Sequence, residues 1–256
     1  MTRRFGYLRG KPDPRDFNAW ERLRAVKIPA RATLRDFVVA VLDQGRLGSC
    51  VANAGFQGIR IVQRRQGEAN PPLGSRLFGY YLARARHDDQ KNDSGTYIRD
   101  FFAAVTKFGF PAEGVYPYND GPDLFARMPS LEAFRLAFDQ KAPIGYRRIF
   151  QEGSARVHAM KAAIASGYPV VFGTDVSEAF ASNDLGSGPL PPPSGQVIAG
   201  AHAMVAIGYD GDAFEVCNSW GTGWGADGFC LFDADYMAWP QTADPWIVEI
   251  APKVSG

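Results

Sequence analysis

Two short stretches of this 256-residue chain combine residue types capable of nucleophilic chemistry. In Gln44-Gly45-Arg46-Leu47-Gly48-Ser49-Cys50 a cysteine closes a glycine-punctuated loop; Val51, Ala54, Gly58, Ile59 and Val62 then recur at helical spacing as far as the polar run Gln63-Arg64-Arg65-Gln66-Gly67. Cys50 thus heads a helix with one buried face. There the backbone dipole lowers a thiol's pKa and favours the thiolate, the form that attacks a carbonyl. The second stretch is Asn218-Ser219-Trp220-Gly221-Thr222-Gly223-Trp224-Gly225-Ala226-Asp227-Gly228-Phe229, whose four glycines and two tryptophans describe a tight loop holding bulky rings over one small region. Between them, His202 begins a strand-like run to Tyr209 and supplies an imidazole for acid/base work.

These residues need elements to position them. Helical spacing also appears over 75–86 (Leu77, Phe78, Tyr81, Leu82), over 98–108 before Gly109, over 157–166 and, more weakly, over 17–23. Strand-like runs cover 169–174, 202–209, 213–218, 228–232 and 246–250, separated by Gly, Asp and Pro. Helices first and strands second describe an α+β protein with segregated halves. The segment Ser187-Gly188-Pro189-Leu190-Pro191-Pro192-Pro193-Ser194-Gly195 reads as an exposed loop.

Taken together, the motifs resemble the papain family of cysteine peptidases. The loop 218–229 follows that family's Asn-Ser-Trp-Gly-x-x-Trp-Gly-x-x-Gly-Tyr/Phe pattern, 44–50 follows Gln-Gly-x-x-Gly-Ser-Cys, and His202-Ala203-Met204-Val205-Ala206-Ile207-Gly208-Tyr209 follows His-Ala-x-x-x-x-Gly-Tyr. The histidine and asparagine lie 152 and 168 residues beyond the cysteine, slightly further than the family's usual spacing, which the proline-rich insertion accommodates. The resemblance implies a papain-like fold, a helical half facing a β-barrel-like half across an active-site groove. It divides the chain into an N-terminal extension (1–33), a helical half carrying the nucleophile (34–130) and a β-rich half carrying the histidine and asparagine (131–256).

It also implies roles. Cys50 would be the nucleophile, His202 its acid/base partner and Asn218 the residue that orients the imidazole. Gln44 would join the Cys50 backbone N–H in binding the oxyanion, and Trp220 would shield the His–Asn hydrogen bond. Gly95 and Thr96 would pair with an extended peptide, although Thr96 departs from the family's second glycine. Tyr97, Ile98, Gly173, Gly200 and Ala203 would shape an apolar pocket for the residue two positions before the cleaved bond. The expected activity is peptide-bond hydrolysis through an acyl-thioester, with endopeptidase preference for a hydrophobic residue in that pocket. A transpeptidase or ligase using the same triad, or an inactive peptide-binding homologue, are the rival readings.

Leu47 stands where many relatives carry a disulfide cysteine and Val51 where they carry tryptophan, the latter leaving the packing between the halves open; the wording around Cys50 looks like a bacterial branch of the family. No cofactor or metal is expected: Cys50, Cys217 and Cys230 are widely spaced, with Cys217 and Cys230 reading as small core residues and His87 and His158 as surface or packing residues. Twenty-eight basic against twenty-seven acidic residues leave a formal charge of +1, which recommends neither a nucleic-acid nor a membrane partner. The expected partner is a peptide or protein substrate. The basic N-terminus is followed by Lys11-Pro12-Asp13-Pro14 rather than an apolar run, so the expected location is the cytoplasm, with a specialised secretion route left open. The short, proline-punctuated N-terminal extension is expected to run near the groove and restrain activity.

Overall fold

The computed structural model describes residues 3–139 and 141–251. In chain order the elements are β1 (Tyr7–Leu8), α1 (Trp20–Leu23), β2 (Arg31–Thr33), α2 (Cys50–Arg65), α3 (Arg76–Ala85), β3 (Thr96–Tyr97), α4 (Ile98–Phe108), α5 (Leu131–Asp139), β4 (Ile144–Arg148), α6 (Gly153–Ala165), β5 (Val170–Ser177), α7 (Glu178–Ala181), β6 (Ile198–Asp210), β7 (Ala213–Cys217), β8 (Phe229–Asp233), α8 (Ala234–Ala238) and β9 (Ala243–Ile250). The α+β architecture is therefore present. Its strands form an antiparallel sheet in the order β4-β9-β5-β6-β7-β8, with β2 added alongside β6. The sheet is open, since β4 and β8 do not pair among the described residues, and is barrel-like only loosely.

Helix α2 differs from its amphipathic reading. Every residue from Cys50 to Gln63 is buried, because α3 and α4 cover one side and β5, β6 and β9 the other. Two glycines permit that approach. A Cβ on Gly55 would lie 2.1 Å from the Phe101 ring of α4, and one on Gly58 would lie 3.2 Å from Val171 of β5. Val51, where relatives carry tryptophan, is fully buried in this sandwich. Two of the polar side chains on the helix are held by neighbouring segments. Asn53 Nδ2 donates to the Ser49 carbonyl (3.0 Å), its Oδ1 accepts from Arg76 (2.9 Å), and Arg60 Nε donates to the Pro71 carbonyl (3.1 Å).

The N-terminal residues are woven into the body. Ala19 and Leu23 are buried in the core, Ala19 N donates to the Arg148 carbonyl (2.8 Å), and β2 extends the sheet. Arg148, only 5% exposed, donates to the Gly10 and Lys11 carbonyls and pairs with the Asp244 carboxylate at 2.9 Å. Further upstream, β1 pairs in parallel with β3. The extension is thus two things, a structural stretch from about residue 10 onward and a short strap before it.

Gly55→Ala is expected to lower stability by about 1–3 kcal/mol, because its methyl overlaps a fully buried ring with no room to move. Urea denaturation monitored by tryptophan fluorescence measures it, and an unchanged midpoint contradicts the close packing of α2 on α4.

Candidate active site

The site forms where the N-terminus of α2 meets the middle of β6. Ser49 occupies the N-cap position of α2 but makes no side-chain cap, its hydroxyl instead meeting Tyr118 Oη (2.6 Å) and Asn53. The backbone amides of Cys50 and Val51 on α2, of Ala203 on β6 and of Gly6 on the strap all act to lower the Cys50 thiol's pKa, as helix-end and strand amides near a sulfur do. Three parts of the chain thus bear on one sulfur.

His202 lies in β6 opposite Thr174 of β5, fully buried. Its Nε2 is 2.7 Å from Asn218 Oδ1, and that oxygen also accepts from the Ser219 N–H (2.7 Å), so the asparagine presents its carbonyl and the imidazole donates from Nε2. Nδ1 is then the unprotonated nitrogen, and it is buried without a hydrogen-bond partner. Trp220 covers the pair, its ring stacked on the imidazole at 4.5 Å and 26°.

Gln44 is fully buried and held at both ends. Its Oε1 accepts from Ser219 Oγ (2.7 Å), and its Nε2 donates to the Leu47 carbonyl (2.9 Å) and the Arg4 carbonyl (3.1 Å). The backbone repeats the stitch, with Gln44 N donating to the Ser219 carbonyl and Gly221 N to the Leu42 carbonyl. The loop before the cysteine and the loop after the asparagine are consequently one unit. A buried thiol, an imidazole with one free nitrogen and an amide N–H fixed nearby can perform acyl transfer.

In this form they are covered. Gly6 lies on Gly48, where a Cβ would fall 1.7 Å from the Gly48 carbonyl oxygen, and its own carbonyl accepts from Thr96 N (2.8 Å). Phe5 stands edge-on to His202 and Trp220, each at 6.1 Å, and covers Gly200; the Tyr7 ring covers Gly173. Burial sets the charge state. It raises the Cys50 pKa to about 11, against the amides that lower it, and lowers that of His202 to about 4, against the Asn218 hydrogen bond. Thiol and imidazole are both neutral under the strap.

Of the residues expected to meet substrate, Gly95, Thr96, Gly173, Gly200 and Ala203 all converge on the strap or the sulfur. Gly95, at φ +80°, has no space for a side chain, since a Cβ would lie 2.3 Å from the Gly6 oxygen. Ile98 is fully buried at the start of α4. Tyr97 turns away, standing 5.5 Å from His87 beside Arg9 and Pro12. Sequence reasoning missed Phe5, Gly6, Tyr7 and Asp93; the aromatic-glycine-aromatic triplet was the available signal for the first three. Cys217 and Cys230 are buried free thiols, His158 packs edge-on against Trp20, and His87 bonds Asp100 at 2.7 Å.

The family model described as papain family cysteine protease matches residues 27–238. The chain belongs to that family. It is 32% identical over 275 residues to an uncharacterized peptidase C1-like protein of Acanthamoeba polyphaga mimivirus, covering 97% of this chain and 88% of that one. It superposes on xylellain, a cysteine protease from Xylella fastidiosa, with a TM-score of 0.83 at 28% identity, covering 97% and 96% of the two chains. The digestive procathepsin L 3 of Tenebrio molitor larval midgut shares the fold at 18% identity and TM-score 0.66, over 97% of this chain and 74% of that one. A viral and a bacterial relative together do not single out the bacterial branch expected from the wording around Cys50.

In the full-length protein, with a thiol pKa near 11, ~10⁻⁴ of Cys50 is ionised at pH 7. Alkylation by iodoacetamide, corrected with Cys50→Ala, is therefore expected to be slow at pH 6.5 and to rise about tenfold per pH unit through neutrality. A fast, pH-independent rate at pH 6.5 contradicts a neutral, covered thiol.

Proposed function

We propose that the chain is an endopeptidase that cleaves peptide bonds through a thioester on Cys50 and is restrained by its own N-terminal strap. What supports the reading is that Ala203, next to His202, bears on the Cys50 sulfur, that His202 is hydrogen-bonded to Asn218, and that Gln44 is anchored to Ser219, next to Asn218. With the strap displaced, water enters, the desolvation that keeps both groups neutral is relieved, and the α2 amides favour the thiolate beside an imidazolium. The sulfur attacks the substrate carbonyl. The oxyanion accepts from Cys50 N–H and Gln44 Nε2, a contribution of about 3 kcal/mol per donor. His202 Nδ1 gives its proton to the leaving amine, then takes one from the water that hydrolyses the thioester. Asn218 holds the ring in the tautomer this requires.

The pocket over Gly173, filled here by the Tyr7 ring, supports a preference for a hydrophobic or aromatic side chain. The strap occupies the positions a substrate needs without being one. Its Arg4 carbonyl takes the Gln44 amide, while what it brings to bear on the sulfur is the Gly6 N–H, a proton donor and not an electrophile. That the fold is shared with a procathepsin, a proform, agrees with an N-terminal restraint.

The test is turnover of a fluorogenic peptide with an aromatic residue two positions before the reporter. Cys50→Ala should abolish it. Gly6→Ala in the full-length chain, whose methyl cannot coexist with the Gly48 carbonyl, should raise it at least about tenfold. Equal turnover in wild type and Gly6→Ala sinks the restraint, and turnover surviving Cys50→Ala sinks the mechanism. A chain begun at Leu34 is a poorer probe, because it also removes Ala19 and Leu23 from the core.

A further inference from the structure

Arg4 marks a subsite of its own. The residue whose carbonyl meets the oxyanion donor stands where the residue just before a cleaved bond would stand. Arg4 does this through Gln44 Nε2 at 3.1 Å, and its guanidinium reaches into a cavity of about 700 Å³ to place Nη1 3.1 Å from Asp93 Oδ2.

The Asp93 carboxylate is built into that cavity. Its side chain is only 8% exposed, and Oδ1 accepts from Gly48 N–H (2.9 Å) and from Tyr80 Oη (2.7 Å). Gly48 lies two residues before Cys50, so the loop that places the nucleophile also places this carboxylate. The remaining wall carries Asp120 and Asp123 with Arg46 and Lys91; Arg46 is engaged with Asp120 at 3.2 Å. Arg84, stacked on Tyr80, directs its hydrogen bonds to the carbonyls of Tyr80, Gln90, Asn92 and Phe125, leaving Asp93 Oδ2 to the ligand side. Among the described residues, Oδ2 accepts from the Gly48 amide at 3.2 Å and from Arg4.

We propose that Asp93 makes this subsite selective for a cationic side chain, arginine or lysine, in the residue immediately before the cleaved bond, and that Arg4 is an internal stand-in for it. The proposal rests on the peptidase reading above. A partly desolvated carboxylate fixed by two donors binds a guanidinium through a charge-assisted hydrogen bond, which a neutral side chain of the same shape does not supply.

Three fluorogenic peptides test this. They share an aromatic residue two positions before the reporter and end in arginine, its neutral isostere citrulline, or norleucine. In full-length Gly6→Ala, kcat/KM for arginine should exceed that for citrulline by at least about tenfold. In Gly6→Ala/Asp93→Asn, where the amide oxygen still accepts from Gly48 and Tyr80, the ratio should fall to within about twofold. Cleavage of the norleucine peptide with an arginine-to-citrulline ratio near one before Asp93 is changed overturns the subsite and leaves the peptidase reading intact. A large ratio that survives Asp93→Asn overturns the role of Asp93. No Cys50-dependent cleavage of any of the three overturns both readings. The ratio in the Asp93-containing protein decides the selectivity even if Asp93→Asn fails to fold.

Discussion

The docking of the α2 N-terminus against β6 is the contact on which everything else depends. A helix end has unpaired amides and must find acceptors, and a sheet interior offers few. Here amides from both sides of the junction, Cys50 and Val51 from the helix and Ala203 from the strand, bear on the Cys50 sulfur and act to lower its pKa. Closing the helix onto the sheet needs Gly58, which faces Val171 of β5, and a second stitch, Gln44 to Ser219, that ties the nucleophile loop to the asparagine loop. The same contacts that join the halves bring thiol, imidazole and amide together.

Covering the junction changes its electrostatics more than its geometry. The Nε2 bond to Asn218 and the Gln44 anchors are in place under the strap, so the orienting interactions do not wait for substrate. What the strap alters is solvent. Buried to this extent, neither member of the thiol–imidazole pair holds a charge near neutral pH. A cover of a few residues can therefore switch chemistry off without moving a catalytic group, provided that its own backbone fits. Gly6 is what lets it fit, because the Gly48 carbonyl leaves no room for a Cβ.

Several features of the fold were readable and several were not. The helix 98–108 with Gly109 as its stop, the helices 50–65 and 76–85, and the strand cores were visible because periodicity and punctuation are local. Helix α5 and strand β4 were not: α5 leaves Leu131 and Phe138 exposed and buries only two alanines, while β4 reads Ile-Gly-Tyr-Arg-Arg, with its arginines satisfied by Glu249, Asp16 and Asp244. Such patterns make sense only beside their partners. Burial of α2 on all sides was hidden for the same reason, since Asn53, Arg60 and Gln63 look solvent-facing until the groups that satisfy or surround them are known.

The candidate site divides along the same line. Motifs of fixed spacing, Gln44 to Cys50, His202 to Tyr209 and Asn218 to Phe229, determine by themselves which residues could do acyl transfer and which family the chain resembles. Chemistry of this kind demands particular side chains at short intervals, and short intervals are legible. That Arg4 to Tyr7 lie across the thiol, that Asp93 fills the turn of Gly48, and that Tyr97 faces His87 instead of the groove are contacts between residues some 40 to 200 positions apart, except the last, and they depend on how the halves close. Only the tertiary structure could decide them, because burial and the charge state it imposes belong to the assembled junction and to none of its segments.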